Sequence, residues 1–338
     1  EGINSPHILQ PKDTIRIAAP LRNPKAVDGK NYQLSLGAAV TYTENKNTYG
    51  EVERSFLDAG QNPPAGVLIN YFLPKEIHED LSLTFLDQSG NMIVTYSNKV
   101  ASDSNSEEEG DQLSVASNIG MNRFIWDMRY PPANKVPDDK TTADRVVSGP
   151  IAPPGRYTVV LKCSGTEKSK TFEIIKDPRV EASQKELEDQ FNLLVSIRDR
   201  LSETHDSINR IRSVCSQLNE WTQRAIGHSS ETLVTEAAKK IMGKLSAIES
   251  ELIQTEYQGA RDRLNLPTRL NSKLSEITSV VSAGDFAPTR QSYEVFQAVS
   301  DEIEPHLLTL QDTIYGDVKD FDNLVQELGI PAVVVRPQ

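Results

Sequence analysis

The sequence of 338 residues has little cysteine, few aromatic residues, no excess of basic charge and no long hydrophobic run. Two cysteines in a chain of this length exclude a disulfide-rich scaffold. No apolar stretch approaches the roughly 18 residues that a membrane-spanning helix needs, so we expect no membrane insertion. The 36 Lys and Arg residues face 48 Asp and Glu residues, a net charge of −12. This balance argues against a nucleic-acid partner, because phosphate binding needs clustered basic side chains.

Proline and glycine are concentrated in the first half of the chain. Of 19 prolines, 14 lie at or before Pro178, and 12 of the 18 glycines lie at or before Gly165. Residues 1–180 carry 20 basic and 23 acidic side chains, a net −3, whereas residues 181–338 carry 16 and 25, a net −9. Proline and glycine separate strands and turns and are disfavoured inside long helices. We therefore predict an α+β multidomain protein with its boundary near Pro178.

Residues 66–178 have the short alternating patterns of half-buried strands. An apolar run covers residues 66–73, and a turn at residues 87–90 joins two alternating arms into a hairpin. Two more strands are expected after Gly155, joined at Ser164-Gly165. The apolar positions of the alternating strands are Leu81, Leu83, Phe85, Met92, Val94, Tyr96, Phe124, Trp126, Met128, Tyr157, Val159, Leu161, Cys163, Phe172 and Ile174. The pattern predicts an antiparallel β-sandwich of immunoglobulin-like type.

Residues 1–65 are less regular. Strands are possible at residues 14–18 and 34–42, but Pro6, Pro11, Pro20 and Pro24 interrupt the pattern. We interpret residues 1–65 as an irregular or β lead-in segment that is added to the sandwich or packed along it.

Residues 179–331 have the three- and four-residue apolar spacing of amphipathic helices. Ser183 and Glu186 form a capping box that predicts a helix start, and this first helix should end before Gly227. Its apolar positions are Leu187, Phe191, Leu194, Leu201, Ile208, Ile211, Cys215 and Leu218, and those of a second helix are Leu233, Ala237, Ile241, Leu245, Ile248 and Leu252.

Two further helices complete the prediction. Pro267 suits the first turn of the third, whose apolar positions are Leu270, Leu274, Ile277 and Val281. The fourth begins at Pro288-Thr289, contains Pro305 as a predicted kink and ends at Gly329. Its apolar positions are Tyr293, Phe296, Ile303, Leu307, Leu310, Ile314, Phe321, Leu324 and Leu328. Together these patterns predict an antiparallel four-helix bundle over residues 179–331, followed by a tail at residues 332–338.

A helical bundle can hold a di-metal site, which needs Glu-x-x-His on two helices. No histidine in this sequence has a glutamate three residues before it. We interpret His205 and His306 as bundle histidines hydrogen-bonded to a neighbouring helix, with a metal ligand as the alternative. Cys163 and Cys215 lie far apart on apolar faces, and we expect buried free thiols.

Other catalytic motifs are missing from the sequence. It has no Gly-x-Ser-x-Gly elbow, no Gly-x-Gly fingerprint and no phosphate loop, and His78-Glu79 lacks the second histidine of a zinc helix. The acidic segment 102–111 resembles a calcium loop, but Glu108 stands where the turn needs glycine, and we interpret it as a solvated hairpin loop. Trp126 and Trp221 are interpreted as packing residues. We assign no catalytic, cofactor-binding or metal-binding residue, expect no cofactor and do not expect this chain to be an enzyme.

A family resemblance rests on six segments in order. They are residues 60–73, GQNPPAGVLINYFL; residues 120–131, GMNRFIWDMRYP; residues 149–157, GPIAPPGRY; and the shorter runs 176–179, 197–200 and 284–289. They resemble motifs in the C-terminal region of large bacterial secreted β-propeller proteins of the sortilin, sialidase-like or Asp-box repeat type. Residues 20–59 and the acidic segment depart from the motifs.

The resemblance implies a β-sandwich plus a helical region, with an N-terminal β-propeller of the same polypeptide or of another protein as the partner. It also implies a secreted, periplasmic or cell-envelope location in a bacterium. No catalytic residue of the family falls on this chain. Because residue 1 is glutamate and not methionine, we expect the chain to be a processed or excised piece of a longer protein.

Three functions follow as hypotheses. The first is a non-catalytic C-terminal structural or interaction module, which predicts an exposed apolar patch on the sandwich. The second is a fragment of a glycan-processing hydrolase (the full-length protein being a possible glycosyl hydrolase) whose active site lies in the propeller or at its junction with residues 1–65. The third is a carbohydrate-binding sandwich, which needs a row of exposed aromatic side chains. The candidates for that row are Tyr32, Tyr42, Tyr49 and Tyr71.

Overall fold

The computed structural model describes residues 5–17, 29–35, 38–46, 52–57, 66–75, 77, 80–99, 114–139, 149–258 and 261–330. This part of the chain is α+β, with the strands before the helices. The strands are His7–Ile8 (β1), Thr14–Arg16 (β2), Gly29–Ser35 (β3), Ala38–Lys46 (β4), Val52–Phe56 (β5), Val67–Leu73 (β6), Leu81–Leu86 (β7), Met92–Ser97 (β8), Gly120–Trp126 (β9), Gly155–Cys163 (β10) and Thr166–Lys176 (β11). The helices are Gln184–Ala225 (α1), Glu231–Leu252 (α2), Leu270–Val281 (α3), Arg290–Thr313 (α4) and Lys319–Glu327 (α5).

The strands form three sheets. One has the order β1-β6-β9, a second has the order β2-β11-β10-β7-β8, and a third has the order β3-β4-β5. All pairs are antiparallel except β2 with β11, which is parallel. The first two sheets share one hydrophobic core, in which the rings of Phe85 and Trp126 stack with centroids 4.4 Å apart. The predicted packing role of Trp126 is thereby confirmed.

The hairpin predicted at residues 81–96 is present, with one difference in its second arm. Val94 and Tyr96 pack against the core as expected, but Ile93 is buried as well and Met92 is exposed. The register shifts between Phe85 and Leu86, so an irregularity breaks the two-residue alternation at this end of β8. The expectation that Met92 is a core residue is wrong for this reason.

The lead-in residues contribute strands to both sheets that share the core. Ile8 of β1 is buried and pairs with Tyr71 of β6, and β2 extends the five-stranded sheet beside β11. The single strand expected at residues 34–42 is wrong, because Ser35 pairs with Ala38 and Leu34 with Ala39. That run of residues holds the end of β3 and the start of β4, which form a hairpin.

The helix starts and ends follow the predicted capping signals in most places. The backbone amide of Ser183 donates to Glu186 Oε2 at 2.7 Å, and the amide of Glu186 donates to Ser183 Oγ at 3.3 Å, so the capping box is confirmed. Thr289 caps α4 by accepting from the amide of Ser292, and Gly329 has the expected left-handed φ of 62°.

Two apolar stripes and one helix start need corrections. In the first turns of α2 the fully buried residues are Val234 and Ala238. Leu233 is exposed, whereas Ala237 is half-buried and packs against the core. Tyr293 of α4 is exposed, and Ser292 is buried in its place. Pro267 precedes α3 by three residues, with a 3₁₀ turn at Asp262–Leu264 before it.

The fourth predicted helix is continuous from Arg290 to Glu327 but not uniform. A π-helical turn at Ile314–Val318 lies between α4 and α5, and Pro305 is inside α4. Proline lacks the amide that would bond to the carbonyl four residues earlier. The predicted kink at this position stays a prediction. None of the helices in the described part of the chain is both long and apolar enough to cross a membrane.

The described chain forms two compact units. The first contains residues up to Pro131, Gly149–Phe191 and Gly284–Phe286, and the second contains residues from Pro132 onward, Asn192–Ala283 and residues from Ala287. The division falls inside α1. In the second unit, the core contains residues of all five helices together with Ala133 and Val136. The predicted domain bounds at 65 and 178 stay predictions.

Candidate functional site

The side of the β1-β6-β9 sheet that points away from the core carries an apolar surface, which we call the outer face. Every second residue of a strand lies on the same side of the sheet, and the pairing register decides which of these residues are neighbours. Leu68 pairs with Ile125, Asn70 with Arg123, and Phe72 with Met121. On the other side of β6, His7 pairs with Phe72, and the amide of Leu9 donates to Asn70 O at 2.9 Å. The outer face is His7, Leu9, Leu68, Asn70, Phe72, Met121, Arg123 and Ile125.

The strands hold this face in place because their alternate residues fill the core. Val67, Ile69, Tyr71 and Leu73 of β6 are buried, and so are Phe124 and Trp126 of β9. A one-residue slip would move all of these side chains into water, so the register is strongly specified. The face is therefore set by the same packing that stabilises the sheet.

Five of the eight side chains on the outer face are large and apolar. Met121 is 51% exposed and Leu9 is 37% exposed, while Leu68, Phe72 and Ile125 are half-buried. The apolar pairs Leu68–Ile125 and Phe72–Met121 lie on either side of the polar pair Asn70–Arg123. Large exposed apolar patches on a protein surface are typical of interaction sites. Partly exposed apolar side chains of this kind are what the interaction hypothesis predicts, and that hypothesis stays a prediction.

The sequence contains a signal for this face that two-residue alternation alone does not reveal. Residues 67–73, VLINYFL, are apolar at both odd and even positions except at Asn70. A strand with one side in water normally alternates, whereas a run that is apolar on both sides indicates a strand covered on both faces. Only the pairing with β9 shows that Met121 and Ile125 extend the same surface.

The charged groups of the outer face are basic. Arg123 Nε donates to Asn70 Oδ1 at 3.3 Å. No carboxylate of the described residues lies within ion-pair distance of this guanidinium, and no member of the outer face is acidic. The chain as a whole has a net charge of −12, so a surface without acidic side chains differs from the average composition of this protein.

The outward side of the five-stranded sheet is different. Arg156 on β10 pairs with Glu173 on β11 at 3.4 Å, and Lys162 pairs with Glu167 at 3.2 Å. Thr84 and Thr95 form a hydrogen bond across β7 and β8 at 2.9 Å. Cross-strand ion pairs and hydrogen bonds of this kind are typical of a sheet surface in contact with water. This side therefore combines polar pairs with apolar residues at its edge, where Ile15 of β2 pairs with Ile175 of β11 and each side chain is 43% exposed.

A buried ion pair lies elsewhere in the first unit. Arg16 Nη1 on β2 is 2.7 Å from Asp285 Oδ1, and their side chains are 6% and 15% exposed. Gln190 Nε2 donates to the carbonyl of Gly284 at 2.6 Å beside it. The sequence gives no signal for this pair, because nothing local connects two residues so far apart in the chain.

His205 is buried, as a bundle histidine should be, but its partner differs from the expectation. Its Nδ1 is 2.6 Å from the backbone carbonyl of Asn134, which lies in a segment without regular secondary structure and not on a helix. Asn134 also donates through Nδ2 to both carboxylate oxygens of Asp206 at 2.9 and 2.8 Å. His205 is therefore part of the attachment of this segment to α1. Burial lowers the pKa of its imidazole.

The other candidate residues are placed as follows. Cys163 is buried and Cys215 is half-buried, and both are free thiols. His306 is half-buried, and Trp221 is also half-buried with the Arg224 guanidinium 4.7 Å from its ring centroid. Within the described ranges, no group of three His, Cys, Asp or Glu side chains could hold a metal ion. The acidic segment 102–111 and His78-Glu79 lie outside the described residues.

The aromatic row required for a carbohydrate-binding sandwich does not form from the tyrosines proposed. Tyr42 and Tyr71 are both buried, and Tyr71 donates its hydroxyl to the carbonyl of Ala116. Tyr49 lies outside the described residues, and Tyr32 belongs to β3. Two of the four candidates are therefore unable to stack on a sugar.

The chain was compared with protein families, curated proteins and solved structures, and none of the three comparisons found a match.

Proposed function

We propose that this chain is a non-catalytic structural and interaction module that binds a second folded domain through the outer face of its three-stranded sheet. The observation that carries the proposal is the composition of that face: four large apolar side chains in register on β6 and β9, with Leu9 just after β1, all partly open to water. Removing such side chains from water is the main driving force of association between folded domains.

The finer architecture belongs to the same proposal. We interpret the two sheets that share a core as an immunoglobulin-like sandwich and the helices as an antiparallel four-helix bundle. Two observations support the sandwich: Trp126 lies in the shared core, and the Tyr157 hydroxyl donates back to the carbonyl of Pro153 at 2.7 Å. For the bundle, the support is the single buried face on each of α2 and α3.

The partner proposed is a β-propeller of the same polypeptide, which is the domain that the motif resemblance implies. A secreted, periplasmic or cell-envelope location in a bacterium belongs to this proposal. Interfaces between domains of one polypeptide have the mixed apolar and polar character of this face.

The test uses the propeller that the natural reading frame around this chain should encode. That domain is expressed separately and titrated into the 338-residue chain carrying labelled Ile, Leu and Met methyl groups. Because methyl shifts report weak binding, an interface between two domains of one protein remains measurable. We expect the signals of Leu68, Met121 and Ile125 to shift, while those of Ile175 on the five-stranded sheet stay constant.

Two variants make the test specific. Met121→Lys places a charge on the outer face and should weaken binding about tenfold or more, because a buried lysine without a partner is costly. The matched control is Ile175→Lys, a comparable change on an exposed residue of the other sheet, which should leave binding unaltered. The absence of a propeller, shifts confined to other surfaces, or glycan turnover by this chain alone would each contradict the proposal.

A further inference from the structure

We infer that residues 133–139 form a strap that opens from α1 when His205 takes up a proton. The inference is independent of the proposed function, because it concerns residues of the second unit only. It depends on how α1 holds the strap and on how the imidazole of His205 is buried.

Four side chains of α1 bind backbone groups of the strap, and they are three or four residues apart, in one row along the helix. The amide of Asn134 donates to Ser202 Oγ at 3.1 Å, and its carbonyl lies 2.6 Å from His205 Nδ1. The other two side chains donate to carbonyls of the strap: Asn209 Nδ2 to Lys135 at 2.9 Å, and Arg212 Nη1 to Pro137 at 3.1 Å. Opening of the strap therefore breaks one continuous set of contacts.

The strap contributes little to the core of its unit. Ala133 and Val136 are its two buried apolar side chains, whereas residues 193–330 supply every other member of this core. Segments with few buried apolar contacts open at a lower free energy than the whole fold does. His205 is 1% exposed, and the strap covers the side of its ring on which Nδ1 lies. Release of the strap is therefore the least costly way to bring water to this imidazole.

The closed strap disfavours a second proton on His205. A carbonyl oxygen only accepts, so Nδ1 carries the proton of the neutral ring and donates it to Asn134. The proton of the charged form would have to be added at Nε2, which is buried and has no hydrogen-bond partner among the described residues. A buried N–H without an acceptor is costly, whereas water can solvate the imidazolium once the strap has opened.

The charges around His205 oppose this effect in part. Asp139 of the strap and Asp206 of α1 are negative and favour the protonated imidazole, but burial has the larger influence and lowers its pKa. Two other helices of the same core present carboxylates that are paired with arginines of α1: Glu249 of α2 with Arg212, and Glu304 of α4 with Arg200.

The open strap therefore binds a proton more readily than the closed strap. The equilibrium constant for opening should be constant above about pH 6.5 and rise as the pH falls toward the pKa of the closed form. The increase is at most about tenfold per pH unit, the limit for a single proton. Acidification thereby uncovers the row of polar side chains on α1 while the helices stay folded.

The experiment is amide hydrogen exchange of the 338-residue chain between about pH 7.5 and pH 5, corrected for the intrinsic exchange rate at each pH. The amide of Asn134 reports the strap, and that of Leu245, a buried residue within α2, reports unfolding of the helices. We expect Asn134 to be less protected than Leu245 and its opening to depend little on urea, since a local opening exposes little surface. Its protection should fall below about pH 6.5.

Three variants assign the effect. His205→Gln should abolish the pH dependence of the Asn134 protection, and His306→Gln, at a half-buried histidine of α4, is the matched control that should leave it unchanged. Asn209→Ala removes one contact of the strap and should raise the opening constant about fivefold at every pH, with the same slope.

Two results would overturn the inference. If Asn134 and Leu245 exchange with equal protection and equal urea dependence, the strap opens only when the whole unit unfolds. If the Asn134 amide opens locally but its protection is independent of pH, or if His205→Gln keeps the dependence, proton uptake by His205 does not control the strap.

Discussion

Arg16 and Asp285 form an ion pair of 2.7 Å between a three-residue edge strand and a loop that lies 269 residues further along the chain. Both side chains are largely withdrawn from water, and Arg16 Nε has no hydrogen-bond partner among the described residues. The contact therefore holds the end of β2 and the Gly284–Phe286 segment in the same unit.

The first prediction concerns this pair. Arg16→Met or Asp285→Leu should lower the free energy of unfolding by about 3 kcal/mol, because each leaves a buried charge without its partner. The double variant Arg16→Met with Asp285→Leu should recover much of that loss. Urea unfolding of the four proteins gives the coupling between the two sites, and additive effects would show that the pair does not stabilise the fold.

The second prediction concerns Gly66, which precedes β6. Its φ is 140°, and a Cβ atom at this position would lie 2.4 Å from the carbonyl oxygen of Trp126. Gly66→Ala therefore combines an unfavourable backbone conformation with a clash against a paired strand, and it should cost more than about 3 kcal/mol.

Gly120 provides the matched control for Gly66. Its φ is also positive, at 95°, but beyond its chain neighbours no atom lies within 4 Å of the place that a Cβ would occupy. Gly120→Ala should cost only about 1–2 kcal/mol, the strain of the left-handed region alone. Thermal or urea unfolding of both variants makes the comparison, and equal losses would show that the approach to Trp126 is unimportant.

The third prediction is a dependence of stability on pH through His205. Burial lowers its pKa below the ordinary value of 6.5, since Nε2 is buried without an acceptor among the described residues. The unfolded chain therefore binds a proton more readily than the folded chain does. The contribution of neutral His205 to the free energy of unfolding is complete above about pH 6.5. It is lost as the pH falls toward the pKa of the folded state, and the free energy of unfolding then decreases by up to about 1.4 kcal/mol per pH unit.

His205→Gln tests whether this imidazole is responsible. The variant retains a side-chain donor for the Asn134 carbonyl but does not titrate, so its stability should vary less between pH 7 and pH 5.5. Asp139 and Asp206 lie near His205 and favour its charged form, which reduces the size of the effect. Urea unfolding at several pH values gives both slopes, and identical slopes would contradict the prediction.

The fourth prediction concerns the start of α1. Ser183→Ala removes the hydroxyl that accepts from the amide of Glu186 and donates to its carboxylate at 2.8 Å. The expected loss is about 1 kcal/mol, the usual contribution of an N-cap. Ser183→Asp supplies another capping acceptor and should lose less, despite its repulsion with Glu186. A loss of stability in Ser183→Asp as large as that in Ser183→Ala would argue against capping as the cause.

Several local features could be predicted because their causes are local. The capping box, the Ser164-Gly165 turn and the left-handed Gly329 each depend on a few adjacent residues. Two-residue alternation was sufficient for β10 and β11, and a short apolar run was sufficient for β6. The errors arose where a local pattern fitted two structures, as at residues 34–42, where an apolar stretch spans the hairpin between β3 and β4.

The rotation of the α2 stripe has a similar origin. Leu233 and Val234 are adjacent apolar residues, and so are Ala237 and Ala238. Both pairs of positions have the four-residue spacing of a helix, so the sequence pattern fits either of them. In the structure, Val234 and Ala238 are the fully buried residues of the core. Sequence periodicity identifies the helix but not which of two neighbouring residues is buried.

By itself, the sequence determined the α+β class and the order of strands and helices. Tertiary structure alone decided which strands are neighbours, and hence that Phe72 lies beside Met121 and Asn70 beside Arg123. It also brought Arg16 to Asp285. The physical reason is that alternation and capping act over a few residues, whereas the outer face and the ion pair depend on pairing between segments far apart in the chain, which only burial of the shared core specifies.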